Sequence, residues 1–475
     1  MKRISLVLVF ILSLAPLRSL AVVQERASTL ADRQAVNLTI YNDGTALIHD
    51  RRRVSLNAGL NRIAWRDVSA SMDPTSAVLD ALGSGARVSV LEQNFDYDVL
   101  SQASLLSKYV GRDVTVVHPA QFAGDRERRE TARILSVDGG IVLQYRDRVE
   151  TTLDGRIEFP AIPSSLRDRP TLALDLETPN SGSQVLDLQY LTNGLSWSVA
   201  YIGSLSRDES RMNLTGLVTL TNSSGTSYPD ARLQLVAGNP HISTLQFAKG
   251  EVQPGTTADV YSVGAVRQED YFVYHLYTVG HPTTVLDKQT KQLTLLSARD
   301  VPVTKTLELR GEPSYYRRAD ADLGDRLPVS VYVSFVNRGG DLGIPLPAGA
   351  VRVYENDSRG LSQYLGSDDI GHTPRNDTVR LQLGDSFDLV ARKRQTNFQW
   401  LSSCRTASSY EIDFVNGKDA PQDVLVVEPI PGDWSISEES QPHTKSSAST
   451  ATWTVHVPAD GRTKLTYTSN VSWCR

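Results

Sequence analysis

The sequence predicts a mainly β protein with tandem antiparallel β-sandwich domains, a small SH3-like β-barrel and one short helix near the N-terminal third. Three observations support this fold class. Apolar and polar residues alternate over long stretches, Gly, Asn and Asp mark turns between them, and only one segment has the spacing of an amphipathic helix. The 475 residues are enough for about three domains at roughly 150 residues each.

The composition excludes several classes of protein. With 40% hydrophobic and 22% charged residues, the chain is neither disordered, nor collagen-like, nor a multi-span membrane protein. Its formal net charge is −5 and it has no basic tract, so nothing indicates a nucleic-acid partner. Phosphate-binding loops, dinucleotide fingerprints and nucleophile elbows are absent from the sequence, and we predict no cofactor.

Residues 1–21 have the features of a secretory signal peptide. Lys2 and Arg3 give a positive start, residues 4–15 form an apolar run, and Ala21 ends a segment of small residues suited to cleavage. The apolar run is shorter than the ~20 residues that span a bilayer, which favours cleavage over a retained anchor. We therefore predict an exported chain, periplasmic or alternatively secreted, with no transmembrane segment in its mature form.

Residues 22–97 are predicted to form an N-terminal antiparallel β unit. Strand patterns over 36–41 and 45–56 flank Asn42-Asp43-Gly44. Asn and Asp followed by Gly accept positive φ at low cost, so this segment is typical of a hairpin turn.

Residues 98–165 are predicted to contain the short helix and the SH3-like barrel. Apolar residues over 98–110 recur at helical spacing, Asp96 or Asp98 can cap the start, and Gly111 can end the helix. Short strand patterns then follow over 114–117, 129–137, 141–146 and 156–159.

Two sandwiches are predicted to follow, over 166–312 and 325–475. A polar stretch at 247–257 reads as a long loop inside the first. In the second, residues 451–457 and 465–473 alternate so regularly that they predict a closing hairpin.

The only two cysteines, Cys404 and Cys474, are predicted to form a disulfide. Neither has a second Cys or a His nearby that would indicate a redox or metal site. In an exported protein such a pair would close a loop of about 70 residues and stabilise the fold by roughly 4 kcal/mol on the chain-entropy model. Two unpaired thiols are the alternative.

Several separate blocks of sequence resemble one known family. They are Tyr190 to Trp197, Val218 to Thr226, Asp230 to Gly238, Pro345 to Tyr354, Leu383 to Asp388 and Pro431 to Trp434. Together, and in this order, they resemble the bacterial domain of unknown function 4139. The resemblance covers most of the chain after about residue 36. It implies a β-rich envelope protein, and it supplies no catalytic residue because the family has no settled activity.

Asp320, Asp322 and Asp325 form a D-x-D-x-x-D run in a predicted loop. Carboxylate oxygens at this spacing are a candidate calcium site. The run lacks the Gly and the distal Glu of the helical calcium loop, so a solvated linker is the alternative interpretation.

Five further aspartates fall in predicted turns of the last sandwich: Asp357, Asp368, Asp369, Asp385 and Asp388. Two carboxyl groups several Å apart can hydrolyse a glycosidic bond. Turn aspartates more commonly accept hydrogen bonds from their own backbone.

Trp400 is the candidate ligand-binding residue, because the polar residues around it predict exposure while Trp453 and Trp473 lie on apolar strand faces. The basic runs 51–53 and 392–394 are interpreted as solvated strand faces.

The sequence as a whole favours an exported, non-catalytic protein that binds or scaffolds an envelope protein or glycan. The alternatives are an envelope glycan hydrolase that uses the turn carboxylates, and a carbohydrate-binding module.

Overall fold

The computed structural model describes residues 23–83, 87–120, 126–163, 165–238, 258–260, 267–320 and 322–474. The predicted signal peptide and the predicted loop at 247–257 lie outside the described residues. The described residues form 32 strands, one α-helix and three short 3-10 helices, so the prediction of a mainly β protein is confirmed.

The chain divides into two compact units. Unit 1 contains Met1–Val36 and Ile48–Leu191, and unit 2 contains Asn37–Leu47 and Thr192–Arg475. The first thirteen strands are β1 Glu25–Ser28, β2 Arg33–Tyr41, β3 Thr45–Leu56, β4 Gly59–Arg66, β5 Val78–Leu82, β6 Ser89–Asp96, β7 Asp113–His118, β8 Arg128–Ser136, β9 Val142–Gln144, β10 Val149–Glu150, β11 Arg156–Glu158, β12 Thr171–Thr178 and β13 Gly182–Asn193.

Unit 1 contains a four-stranded sheet in the order β1-β4-β12-β6 and a second group in the order β3-β13-β5. The indole Nε1 of Trp65 on β4 donates to Asp50 Oδ2 on β3 over 3.1 Å, which joins the two layers across a buried core. Strand β12 lies between β4 and β6, and β13 lies between β3 and β5, so residues 171–191 belong to unit 1. The sequence prediction instead assigns this segment to the central sandwich that begins at residue 166.

The predicted SH3-like segment is an open five-stranded sheet in the order β10-β9-β8-β7-β11. Val116, Ile134 and Leu143 form its fully buried centre. The last strand pairs with the first, as expected for an SH3-like unit, but the sheet does not close into a barrel. Strands β9, β10 and β11 are only two or three residues long, and β10 and β11 stay at opposite edges.

The helix α1 spans Gln102–Lys108 and is shorter than the predicted 98–110. Its N-cap is Ser101, whose Oγ accepts a hydrogen bond from the backbone N–H of Ser104 over 3.0 Å, rather than Asp96 or Asp98. Asp98 instead forms an ion pair with Lys108 over 2.8 Å.

Two turn residues adopt the left-handed backbone that the sequence indicates. Gly44 has φ of +90° in the turn between β2 and β3, and Gly111 has φ of +81° after α1.

Asp50 carries the buried charge of unit 1. It accepts hydrogen bonds from Arg33 and Arg52, and the Arg52 guanidinium lies 4.7 Å from the centre of the Trp65 ring. Burial would raise the pKa of Asp50, but the two guanidinium groups outweigh it and hold the pKa below its ordinary value. The interpretation of run 51–53 as solvated was therefore wrong for Arg52, which is fully buried.

Unit 2 contains the remaining strands: β14 Leu195–Leu205, β15 Arg211–Asn222, β16 Tyr228–Ala237, β17 Ala258–Val260, β18 Arg267–Tyr271, β19 Tyr274–Thr278, β20 Thr283–Val285, β21 Gln289–Pro302, β22 Thr304–Arg310, β23 Asp322–Val336, β24 Gly349–Asn356, β25 Ser362–Ile370, β26 Thr378–Ser402, β27 Arg405–Asn416, β28 Gln422–Pro429, β29 Asp433–Ser437, β30 Thr444–Ser447, β31 Thr450–Val457 and β32 Arg462–Ser472.

These strands form two sandwich-like cores whose elements are interleaved along the chain. The first contains a six-stranded sheet, β17-β21-β15-β14-β24-β25, and strands in the order β18-β19-β16-β2. The second is a nine-stranded sheet, β29-β32-β27-β26-β23-β22-β28-β31-β30. Thus β22, which we predicted in the central sandwich, lies in the nine-stranded sheet, while β24 and β25, predicted in the last sandwich, lie in the six-stranded one.

The predicted C-terminal hairpin was wrong. Strand β31 pairs with β28 and β30, whereas β32 pairs with β27 and β29. Trp453 on β31 and Tyr467 on β32 are buried and stack with their ring centres 4.7 Å apart. The two strands therefore meet through side chains in the core, because both carry apolar residues on the face that turns inward.

Lys393 and Glu428 form an ion pair in the core of the nine-stranded sheet. Both are fully buried, and the Lys393 ammonium lies 2.7 Å from Glu428 Oε1. The Tyr316 hydroxyl donates to Glu428 Oε2 over 2.7 Å and also contacts the Tyr467 hydroxyl. A side chain at Gly311 would collide with Glu428. The interpretation of run 392–394 as solvated was therefore wrong for Lys393, because alternation along β26 turns the middle residue inward.

Desolvation lowers the pKa of Lys393, and the Glu428 carboxylate opposes that shift. The same burial raises the pKa of Tyr316, and the negative charge of Glu428 raises it further. The Glu428 carboxylate thus has the Lys393 ammonium on one oxygen and the Tyr316 hydroxyl on the other, which leaves neither member of the ion pair without a partner.

Three buried asparagines close strand ends in unit 2 in the same manner. Asn222, Asn337 and Asn416 each follow an apolar strand, and each donates through Nδ2 to at least two loop carbonyls while its Oδ1 accepts a backbone N–H. Since buried polar groups must be hydrogen-bonded, each side chain fixes the loop that it bonds.

We expect Lys393→Met to lower the free energy of unfolding by about 3–5 kcal/mol, because it leaves the buried Glu428 carboxylate without its cation. Arg392→Met is the matched control, since this neighbour is half exposed and pairs with Asp325 at the surface, where such pairs contribute at most about 1 kcal/mol. Urea titration followed by tryptophan fluorescence measures both.

The double variant Lys393→Met/Glu428→Leu is expected to recover most of the loss, because no charge is then buried. Equal effects of Lys393→Met and Arg392→Met would contradict a stabilising role for the pair.

Candidate functional site

The β26–β27 hairpin presents an exposed apolar end, which we call the hairpin-end patch: Phe398, Trp400 and Leu401. Trp400 is 59% exposed and Leu401 58% exposed. The last residues of β26 are exposed on both faces, so this end of the hairpin extends past the core. The structure therefore places the predicted ligand residue Trp400 at the surface, beside two apolar neighbours that the sequence analysis did not select.

A disulfide anchors this hairpin. Cys404 pairs with Cys474 across a Cα separation of 5.5 Å, and the Trp473 N–H donates to the Cys404 carbonyl over 2.8 Å. Arg405 also lies opposite Ser472 of β32. The turn is thus fixed by a covalent bond and by a strand ladder at the same point, so the patch is held on a rigid support.

A shallow depression of about 290 Å³ borders the patch. Leu401, Arg405 and Trp434 contribute to its lining. Thr406, Ser435, Asn470 and Ser472 line it as well, together with Asp433, so polar and apolar groups of both charges border the patch.

The rings of the patch do not form a flat platform. Phe398 and Trp400 have ring centres 5.8 Å apart with an angle of 83° between their planes. Sugar rings stack on coplanar aromatic faces, so this perpendicular arrangement does not offer the surface that a carbohydrate-binding module requires.

A second feature is a groove between the two cores of unit 2, which we call the bulge groove. It encloses about 310 Å³. Leu307, Val331 and Val333 line it from the nine-stranded sheet, and Leu205 and Leu365 line it from the six-stranded sheet. Its walls therefore come from segments that are far apart in the sequence.

The groove owes its rim to an irregularity in β26. Pro328 pairs with Val390 but Ser330 pairs with Asp385, so several residues of β26 lie opposite Val329 alone and the strand bulges outward. Gly384 begins the bulge with φ of +137°, a conformation that side chains disfavour. The bulge turns Phe387 into solvent, where it is 83% exposed.

The turn aspartates separate into two groups. Asp385 and Asp388 line the bulge groove. Asp357 accepts backbone hydrogen bonds from Arg359 and Leu361, and Asp368 accepts one from Gln382. Asp369 does not line the groove. Asp385 and Asp388 therefore share one surface, whereas Asp357 and Asp368 stabilise a turn and a strand contact by accepting backbone hydrogen bonds.

A glycosidase needs one carboxyl group with a raised pKa to act as the acid. The backbone N–H of Leu361 instead holds the pKa of Asp357 below its ordinary value. Within the described residues, the carboxyl pKa values that are shifted are all shifted downward.

Two of the predicted calcium ligands are near arginines. Arg318 lies 3.9 Å from Asp320, and Arg392 lies 3.0 Å from Asp325. The side chain of Asp322 lies outside the described residues, and β23 begins at Asp322, so Asp322 and Asp325 belong to a strand and not to the predicted loop. No group of three metal-ligating side chains is found in the described part of the chain.

The residues that sequence reasoning missed are Phe387, Phe398 and Leu401. Phe387 interrupts an alternating pattern between Gly384 and Leu389, which is a signal of a bulge. Leu401 directly follows Trp400, and two adjacent large apolar residues near a strand end cannot both face one core.

The sequence profile of one family, described as domain of unknown function (DUF4139), matches residues 186–475. The chain belongs to this family. The match begins in β13 and includes both the hairpin-end patch and the bulge groove. No curated protein matches the chain. Over the described ranges, no helix combines the length and the apolar character needed to cross a membrane.

We expect a reductant to lower the midpoint of thermal unfolding of the DUF4139 region. Opening the Cys404–Cys474 link frees a loop across 70 residues of sequence, which costs roughly 4 kcal/mol on the chain-entropy model. Differential scanning calorimetry with and without reductant measures the shift.

The control is the double variant Cys404→Ser/Cys474→Ser, whose midpoint is expected to be low and insensitive to reductant. A wild-type midpoint that reductant leaves unchanged, under conditions where free thiols are detected, would contradict the prediction.

Proposed function

We propose that this protein is an exported, non-catalytic component of the bacterial envelope that binds or scaffolds a partner. The single observation that carries the proposal is the hairpin-end patch. Trp400 and Leu401 are large, apolar and more than half exposed, and the disulfide supports them. Exposed aromatic anchors on a rigid support are typical of binding surfaces.

Export is supported by the N-terminal sequence and by the disulfide. Lys2, Arg3 and the apolar run that follows are typical of a cleaved signal peptide. Disulfides persist in oxidising compartments and are rare in the cytosol. The periplasm is the compartment we propose, and secretion to the outside is the alternative.

The arrangement of the patch favours a protein partner over a glycan. Phe398 and Trp400 stand nearly perpendicular, and Leu401 adds an aliphatic surface next to them. Apolar protein side chains fit such an uneven surface better than the flat face of a sugar ring. A glycan hydrolase is the alternative, and Asp385 and Asp388 are the two turn carboxylates that share a groove.

We expect the mature protein recovered from the envelope fraction to begin at Val22. Cleavage after Ala21 removes Lys2, Arg3 and the apolar run. Intact mass spectrometry of the periplasmic fraction measures the N-terminus, and an Ala21→Leu variant is expected to accumulate at the precursor mass. Recovery of the full-length chain in the cytosol would contradict export.

We expect Trp400→Ala to reduce capture of the envelope partner by about tenfold, because an exposed aromatic anchor that becomes buried contributes on the order of 1.5–3 kcal/mol. The tagged mature chain is mixed with envelope extract, and bound proteins are identified by mass spectrometry. Purified cell-wall glycan is tested in parallel.

Tyr97→Ala is the control variant, because Tyr97 is 68% exposed but lies in unit 1. Its capture is expected to match that of the wild type. Equal capture by Trp400→Ala would contradict the role of the patch, and turnover of a cell-wall substrate without any retained partner would overturn the binding function.

A further inference from the structure

The bulge groove combines an apolar interior with a charged rim. Leu307 and Val333 are buried in the groove wall, while Leu365 is 39% exposed and Phe387 is 83% exposed at its edge. A phenylalanine ring held almost completely in water has an unfavourable hydration free energy that a contact would relieve. The fold maintains this exposure through the bulge in β26.

The rim carries an excess of negative charge. Four carboxylates line the groove, those of Glu209, Glu355, Asp385 and Asp388, against two lysines. Lys305 forms an ion pair with Glu209, and the Lys305 ammonium lies 2.5 Å from the Glu209 carboxylate. Within the described residues, Glu355, Asp385 and Asp388 have no basic side chain at ion-pair distance.

Two other acidic residues of the nine-stranded sheet are each held by two basic side chains. Glu411 is held between Arg394 and Lys464, and Glu308 between Arg310 and Arg380. Asp385 instead accepts a hydrogen bond from the neutral hydroxyl of Ser330, over 2.8 Å. Lys418 also lines the groove, so four carboxylates face two lysines and the rim keeps an excess of two negative charges next to an apolar surface.

The charge and the apolar surface together define the occupant. We propose that the bulge groove binds a basic segment of a partner protein, in which lysine or arginine alternates with large apolar residues. The aliphatic stem of a lysine or arginine packs on an apolar wall while its charged head reaches a carboxylate. The neighbouring apolar residues of the segment cover Phe387 and Leu365. A small hydrated cation would leave these side chains in water, and an acidic segment would be repelled.

This site is separate from the hairpin-end patch, so the proposal does not rest on the function proposed above. The groove has about the volume of a small ligand site, which accommodates a few side chains rather than a folded domain. A short linear segment fits that size.

A synthetic peptide of alternating lysine and leucine is the probe, and its binding to the full mature chain is measured by fluorescence anisotropy. The comparison peptide has glutamate in place of lysine. We expect binding of the lysine peptide only, and weaker binding at higher ionic strength because the interacting charges are exposed to solvent.

Asp385→Asn/Asp388→Asn is expected to weaken binding of the lysine peptide about fivefold, since two exposed ion pairs are removed. The control is Asp138→Asn/Asp154→Asn, which changes the net charge equally at two exposed positions of unit 1. Phe387→Ser is expected to weaken binding about tenfold. Its control is Phe272→Ser, which removes an equally exposed ring elsewhere.

Four outcomes would overturn the proposal. The first is equal binding of the two peptides, or of the groove variants and their controls. The second is full displacement of the peptide by spermidine at matched charge concentration, which would make a small cation the occupant. The third is a concentration-dependent dimer that Phe387→Ser abolishes, which would make a second copy of the chain the occupant. The fourth is failure of the lysine peptide to bind at all.

Discussion

The backbone ladder of strand β26 with β23 and β27 is the interaction on which the rest of the C-terminal half depends. This strand runs over 25 residues and supplies three different features along its length. Its bulge forms the rim of the groove, its middle buries Lys393, and its end carries Trp400. One continuous hydrogen-bonded strand thus fixes the distance between an internal charge and two exposed surfaces.

Buried charge is the second constraint on this fold. In unit 1 the Asp50 carboxylate is held by two arginines, and in unit 2 Glu428 is held by one lysine and a tyrosine hydroxyl. In each arrangement, opposite charges and hydrogen bonds offset the desolvation cost of burying a charged group. Each also links different strands, since Arg33 of β2 contacts Asp50 of β3 and Lys393 of β26 contacts Glu428 of β28.

Strand alternation was sufficient to predict the elements but not their partners. The turn at Gly44, the left-handed Gly111 after the helix and the exposure of Trp400 all follow from local patterns. The hairpin predicted from β31 and β32 did not form, because each strand pairs with a strand from another part of the chain. Long-range pairing also places β22 in the nine-stranded sheet, and β24 and β25 in the six-stranded sheet, in each case the other core from the one predicted.

The amino-acid sequence by itself determined the β class, the positions of most strands and turns, and the family to which the chain belongs, because these depend on side-chain periodicity and local backbone preference. Only the tertiary structure decided that Arg52 and Lys393 are buried, that β26 bulges at Phe387 and that Asp385 and Asp388 share a groove with Leu307. These features arise where strands distant in sequence come together, and the pattern of one strand contains no information about the neighbour it will acquire.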